Sequence, residues 1–230
     1  MLTLEGLCIQ QDDFTLSADL SIAAGARVAV VGPSGAGKST LLGAMAGFVP
    51  LTKGRITWKG HDLTDAAPAA RPIAMLFQDH NLFPHLTAAQ NIGLGLRPDL
   101  RLSTAQRGAV DRALEQVGLQ GLGPRKPSQL SGGQQSRVAI ARVLLQNRPV
   151  ILLDEPFAAL GPALKVEMLD LVAQMAAQQA ATLLMVSHDP DDAARLCPQT
   201  VLVAEGRAFA PQDTSVLLAD PPPALRAYLG

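Results

Sequence analysis

Short, dense apolar runs alternate with amphipathic stretches along most of this chain. Arg27–Val31 (RVAVV) is β-branched and stops at Gly32, the pattern of a buried strand. Lys38–Ala46 (KSTLLGAMA) has helical character, with Gly47 as its C-cap. Arg55–Lys59 and Ile73–Phe77 are further strands. From about Pro84 to Asn147 the character changes, and helical spacing dominates over Thr87–Leu94, Thr104–Val117 and Gly132–Gln146. Val150–Leu153 is again a dense apolar strand, ending at Asp154-Glu155. Pro162–Gln179 is helical, and Thr182–Val186 (TLLMV) is a strand running into Ser187-His188. Asp191–Leu196 is a short helix, and Val201–Val203 a last strand before the turn at Glu205-Gly206. Strands alternating with helices predict an α/β fold with a parallel-rich sheet covered on both faces. Residues 84–147 are expected as a helical lobe inserted between two core strands.

Length and composition narrow this picture. At 230 residues the chain can bury a full core, as one large domain or as a core with an inserted lobe. The net charge of −1 and the lack of a polybasic run give nucleic acid or anionic lipid no electrostatic hold. Although 48% of residues are hydrophobic, no apolar run nears the roughly 18 to 20 residues a membrane span needs. The opening MLTLEGLCIQQDDF is acidic and lacks the basic and hydrophobic regions of a signal peptide. Cys8 and Cys197 lie far apart, which fits a reduced cytosolic protein rather than a disulfide framework or zinc site.

Five motifs carry candidate chemistry. Gly32-Pro33-Ser34-Gly35-Ala36-Gly37-Lys38-Ser39 matches GxxxxGK[ST] between a predicted strand and a predicted helix, and Thr40 follows. The glycines let backbone N–H groups turn inward around phosphate oxygens, and the helix dipole beginning near Lys38 favours negative charge. Lys38 is placed to reach β- and γ-phosphates, and Ser39 to ligate Mg²⁺. Asp154 and Glu155 end an apolar strand: Asp154 can hold Mg²⁺, and Glu155 can orient and deprotonate an attacking water. On its own such a pair is an ordinary solvated strand end; beside a phosphate loop it supplies what phosphoryl transfer needs. Gln78, at the end of Ile73–Phe77, can touch Mg²⁺ or the water, and His188 can hydrogen-bond the γ-phosphate. His61, His80 and His85 have no such context and are expected in surface loops. Ser131-Gly132-Gly133-Gln134 precedes a long helix, with Ser131 as N-cap and glycines that leave N–H groups free for an anion. The apolar face of that helix is Val138, Ala141, Leu144 and Leu145, and Arg137 and Arg142 are solvated or paired.

Taken together, the phosphate loop, Gln78, Leu130–Gln134 (LSGGQ), Ile151–Pro156 (ILLDEP) and His188 resemble, in family order, the ATP-binding subunits of ABC transporters. The resemblance implies a P-loop NTPase (RecA-like) core over residues 1–83 and 148–230, with a small N-terminal antiparallel β region and a helical signature subdomain over 84–147. It implies ATP and Mg²⁺ as cofactors. It also implies a head-to-tail homodimer in which each ATP lies between one subunit's phosphate loop and the other's signature. Met75–Leu96 and Thr182–Leu196 are further similar to the ATPases of bacterial thiamine importers. Relatives serving ferric iron, sulfate or polyamines tend to carry an extra C-terminal domain, whereas this sequence stops at Gly230.

The resemblance therefore implies an ATPase energising uptake of thiamine or a thiamine phosphate through separate permease subunits. A periplasmic solute-binding protein is an indirect partner, and the location is peripheral, on the cytoplasmic face of the bacterial inner membrane. Leu82, Phe83, Pro84 and His85 are the candidate permease-docking residues. The chain departs from the family at three places. Gln11 stands where an aromatic ring usually stacks on adenine, leaving Phe14 as the nearest ring. Gln135 replaces a frequent basic residue. Gly161 replaces an Asp that links the two sites across the dimer. Gln11 and Gly161 leave a non-hydrolysing regulatory subunit as an alternative, and because partner proteins choose the substrate, an importer for another solute (ferric iron, sulfate or polyamine) is a further one. Replacing Lys38 by Ala should abolish tight ATP binding, and titration with nucleotide checks it; unchanged affinity would contradict the phosphate-loop assignment.

Overall fold

The computed structural model describes residues 1–229, and Gly230 lies outside the described residues. Strands β1 (Leu2–Gln11) and β2 (Phe14–Ile22) pair antiparallel around a tight turn at Asp12. β3 (Arg27–Val31) leads into α1 (Lys38–Ala46), followed by β4 (Lys53–Trp58), β5 (His61–Asp62) and β6 (Ile73–Leu76). Three helices come next: α2 (Ala88–Gly93), α3 (Thr104–Gln116) and α4 (Gly132–Leu145). The chain then returns through β7 (Val150–Asp154), α5 (Pro162–Gln178), β8 (Thr182–Val186), α6 (Pro190–Leu196) and β9 (Gln199–Ala204). Short β10 (Arg207–Ala208) and β11 (Gln212–Asp213) precede α7 (Thr214–Ala219) and α8 (Pro223–Leu229).

The strand order is β5-β4-β1-β2-β10-β9-β3-β8-β7-β6, with β11 beside β9. Strands β9, β3, β8, β7 and β6 run parallel. The β5-β4-β1-β2 end is antiparallel, and β10 bridges it to the parallel part. Side chains alternate across a strand, so each core strand feeds two separate cores. Val28, Val30, Leu152, Leu184 and Val186 pack with α1 and the antiparallel strands. Ala29, Val31, Ile151, Leu153, Leu183 and Met185 pack with helices α2 to α6. Burial on both faces explains why these strands read as unbroken apolar runs.

The elements expected from sequence are present, with ends shifted by one or two residues. The helices between β6 and β7 start where Ser or Thr meets Gln three residues on. Thr87 with Gln90, Ser103 with Gln106 and Ser131 with Gln134 each form a reciprocal capping box. α4 is apolar more fully than expected: Ala139, Ile140 and Val143 are buried along with Val138, Ala141 and Leu144. Among the described residues no helix is long and apolar enough to cross a membrane. Leu152 is fully buried in the middle of the parallel sheet. Leu152→Ala should cost about 2–5 kcal/mol in denaturant unfolding, and Leu152→Met under about 1.5 kcal/mol; equal costs would contradict a close-packed site there.

Candidate nucleotide site

The carboxyl ends of four parallel strands open onto one cleft. β3 ends in the glycine-rich loop, β6 in the turn bearing Gln78, β7 in Asp154-Glu155 and β8 in Ser187-His188. The cleft encloses about 560 Å³ and is lined by Ser34, Gly35, Gly37, Lys38, Ser39, Thr40, Gln78, Glu155 and His188, and also by Gln11, Asp12 and Phe14. Helix α1 begins at Lys38, so its first N–H groups, which have no partner inside the helix, belong to this wall. Gly32 can only be glycine: a Cβ would stand 1.9 Å from the carbonyl oxygen of Val203. Gly37 caps α1 in a left-handed conformation (φ +97°), and a Cβ there would strike the Phe14 ring at 2.5 Å. Phe14 thus forms part of the cleft wall against the phosphate loop.

Lys38 is buried, and its Nζ donates to the carbonyl oxygens of Gly32 and Pro33, each at 2.8 Å. Burial lowers its pKa, and the nearby carboxylates of Glu155 and Asp154 oppose that. Asp154 is buried too, and its Oδ1 has no hydrogen-bond partner. Burial raises its pKa, a hydrogen bond from Ser39 counters the rise, and the charge of Glu155 adds to it. A buried carboxylate oxygen without a partner, beside a hydroxyl and an open cleft, suits a hard divalent cation. Among the described residues no cluster of three or more His, Cys, Asp or Glu could hold a metal. Any ion here would therefore complete its shell with phosphate oxygens and water, as Mg²⁺ does.

Glu155 leaves the strand with φ +48°, a left-handed backbone uncommon for a residue with a side chain. Its Oε1 is hydrogen-bonded by Nε2 of His188. The residues on either side of His188, Ser187 and Asp189, belong to an ionic knot. Lys165 of α5 pairs with Asp189 and, at 2.8 Å, with Asp192, while Ser187 Oγ donates to Asp192 at 2.9 Å. Burial works against the Lys165 ammonium, but these bonds prevail and hold its pKa above the ordinary value.

Other predicted residues lie elsewhere. Ser131, Gly132, Gly133 and Gln134 do not line the cleft; they form the start of α4. There they sit against the Ala158–Gly161 turn, with Leu160 close enough to meet a Cβ on Gly133 at 3.2 Å. Gly161 is the N-cap of α5 in extended conformation, without a side chain to cap it. Gln78 lies in an exposed turn two residues past the end of β6, not at the strand end itself. His80, expected in a surface loop, is half-buried and hydrogen-bonded to Ser136. Arg142 is held by backbone rather than by carboxylates, donating to the carbonyl oxygens of His80 and Asn81. Leu82–His85 follow, with Phe83 47% exposed and its backbone pinned by the buried Asn91. Sequence reasoning missed Asp12, Ser136 and Lys165; their partners are 24 or more residues away or are not side-chain patterns at all.

A glycine-rich loop joining a central parallel strand to a helix, with an acidic pair ending a neighbouring strand, defines a P-loop nucleotide-binding protein. Residues 16–158 match the model of the ABC transporter family, and the chain belongs to that family. It is 61% identical over 230 residues, all of both chains, to the thiamine import ATP-binding protein ThiQ of Cereibacter sphaeroides. It is 60% identical over 230 residues, again all of both, to the ThiQ of a Ruegeria species. A dimeric ATP-binding cassette in a post-hydrolysis state with ADP and Pi superposes with a TM-score of 0.82 at 28% identity, covering 93% of this chain and 99% of that one.

The raised pKa of Asp154 has a stability consequence. The folded state holds that proton more tightly than the unfolded chain, so this contribution is present at low pH and is lost as pH rises through the folded pKa. Asp154→Asn, which cannot ionise, should unfold at a higher temperature than wild type at pH 7. The gap should narrow as pH falls toward the ordinary carboxylate range, and thermal scans across pH check it. A variant less stable than wild type at pH 7 would contradict the burial argument.

Proposed function

We infer that this chain is the ATP-hydrolysing subunit of an ABC importer and energises uptake of thiamine through separate membrane permease subunits. The observation that carries the reading is the cleft itself: the phosphate loop and a carboxylate tied to histidine line one pocket, and the buried Asp154 is hydrogen-bonded to Ser39 of that wall. The solute is supported by full-length identity to proteins named for thiamine import. The cleft gives no support to a non-hydrolysing sensor, because Glu155 and His188 are both present and hydrogen-bonded to each other.

We assign roles as follows. Backbone N–H groups from Gly32 to Thr40, with Pro33, Ser34, Gly35, Ala36 and Gly37 shaping the loop, cradle the phosphates. Lys38 exchanges the carbonyl oxygens of Gly32 and Pro33 for phosphate oxygens, which are stronger acceptors for an ammonium. Mg²⁺, held by Ser39 and Asp154 with Gln78 nearby, would neutralise charge on the β- and γ-phosphates. Glu155 accepts the proton of the attacking water, and His188 fixes the Glu155 carboxylate and meets the γ-phosphate. Phe14 offers a ring to the adenine in place of Gln11.

Ser131, Gly132, Gly133 and Gln134 serve the nucleotide of a second copy in a head-to-tail homodimer; a bacterial ABC transporter cassette of similar fold is dimeric. Residues 84–147 act as the signature-bearing lobe of the single ATPase domain. Leu82, Phe83, Pro84 and His85 offer the permease an exposed loop, stiffened by Asn91 and by the edge contact of Phe83 with His85. A periplasmic solute-binding protein acts through the permease, and the chain works from the cytoplasmic face of the inner membrane. Hydrolysis by wild type and by Glu155→Gln is the test. A positioned base is worth about 10²- to 10⁴-fold, so the variant should lose that much rate while still binding ATP. Equal rates would contradict the assignment and favour a regulatory subunit.

A further inference from the structure

The turn after β6 is fastened to α4 more firmly than a surface turn requires. His80 (φ +59°) and Asn81 (φ +45°) both adopt left-handed backbone. His80 Nε2 lies 2.8 Å from Oγ of the fully buried Ser136. The same hydroxyl lies 3.1 Å from the carbonyl oxygen of Gly132. A hydroxyl has one proton and a carbonyl can only accept. Ser136 Oγ–H therefore donates to Gly132, and its oxygen accepts from His80 Nε2–H. Arg142, also on α4, grips the turn by its backbone, donating to the carbonyl oxygens of His80 at 2.7 Å and Asn81 at 2.9 Å. Hydrogen bonds thus run without a break from the turn bearing Gln78 to the first glycine of the signature.

The two ends of this chain of bonds serve different nucleotides in the head-to-tail dimer. Gln78 lines the chain's own cleft, and Gly132 faces the partner's. The alternative bridge, Leu160 beside Gly133, is an apolar contact, and Gly161 brings no side chain to it. We propose that the His80–Ser136–Gly132 hydrogen-bond chain couples the two nucleotide sites, with His80 and Ser136 as positioning residues that aim Gln78 when the signature closes on the partner's ATP. The proposal rests on the head-to-tail reading above. Turn and helix move as one body, so a shift of the α4 start is delivered to Gln78. The Nε2–H is present in both the neutral tautomer required here and the imidazolium. The charged groups facing His80 are Asp79 and Arg142.

The test compares His80→Leu, His80→Gln, Ser136→Ala and the double variant His80→Leu/Ser136→Ala with wild type. Gln can donate from its amide nitrogen near the position of Nε2. Leu and Gln are both unbranched at Cβ, so backbone strain at the left-handed position is matched. ATP affinity and saturated hydrolysis rate are read directly, and ATP-driven dimerisation is read with Glu155→Gln added. Affinity and dimerisation should stay as in wild type. The saturated rate should fall roughly 2- to 30-fold in His80→Leu and Ser136→Ala, recover in His80→Gln, and fall no further in the double variant. Unchanged rates, equal losses in Leu and Gln, or additive losses would each overturn the relay alone. Failure of the Glu155→Gln protein to dimerise with ATP would overturn the head-to-tail reading, and the relay with it.

Discussion

The central parallel sheet is buried on both faces, and the rest of the molecule is arranged around that constraint. α1 and the antiparallel strands cover one face; α2 to α6 cover the other. Charged and polar chemistry cannot stand on either face, because an unpaired charge there is costly. The carboxyl ends of the strands are left as the open boundary. There the phosphate loop, Gln78, Asp154-Glu155 and His188 arrive from β3, β6, β7 and β8. Ligands of open α/β sheets bind at such strand ends. The same constraint explains the buried, half-satisfied Asp154, the last residue of β7.

The catalytic groups are arranged in pairs that restrain one another. Glu155 leaves its strand through a left-handed backbone and is met by His188. His188 lies between Ser187 and Asp189, which with Lys165 and Asp192 form the knot that ties α5 to α6. α5 begins at Gly161, directly after the turn that touches the signature. Base, histidine and signature of one chain therefore share a short framework of contacts. Gly161 gives α5 an N-cap without a side chain, which costs a few tenths of a kcal/mol relative to an Asp cap.

Much of this was legible in the sequence, for physical reasons that can be named. Doubly buried strands must be apolar throughout, so RVAVV, VILLD and TLLMV announce themselves. Capping boxes place Ser or Thr three residues before Gln, which marks the starts of α2, α3 and α4. Of the antiparallel strands only β4 was read, as Arg55–Lys59; β1 and β2 were not. Leu2, Leu4, Leu7 and Ile9 of β1 do alternate, but the register slips between Leu4 and Leu7 and breaks the period. β10 and β11 have two residues each, too few for any period. His80 was misread because its partner, Ser136, is 56 residues away. The Lys165 knot escaped notice for the same reason: ion pairs across helices leave no local pattern.

The central claim is that each ATP is enclosed by the cleft of one chain and the signature of another. Sedimentation of the Glu155→Gln protein, with and without Ser131→Arg, tests it most directly. With ATP, Glu155→Gln should sediment as a dimer. The double variant should bind ATP with the same affinity and remain a monomer, because an Arg at the start of α4 blocks the partner's phosphates. A double variant that dimerises as readily as the single one would contradict the account.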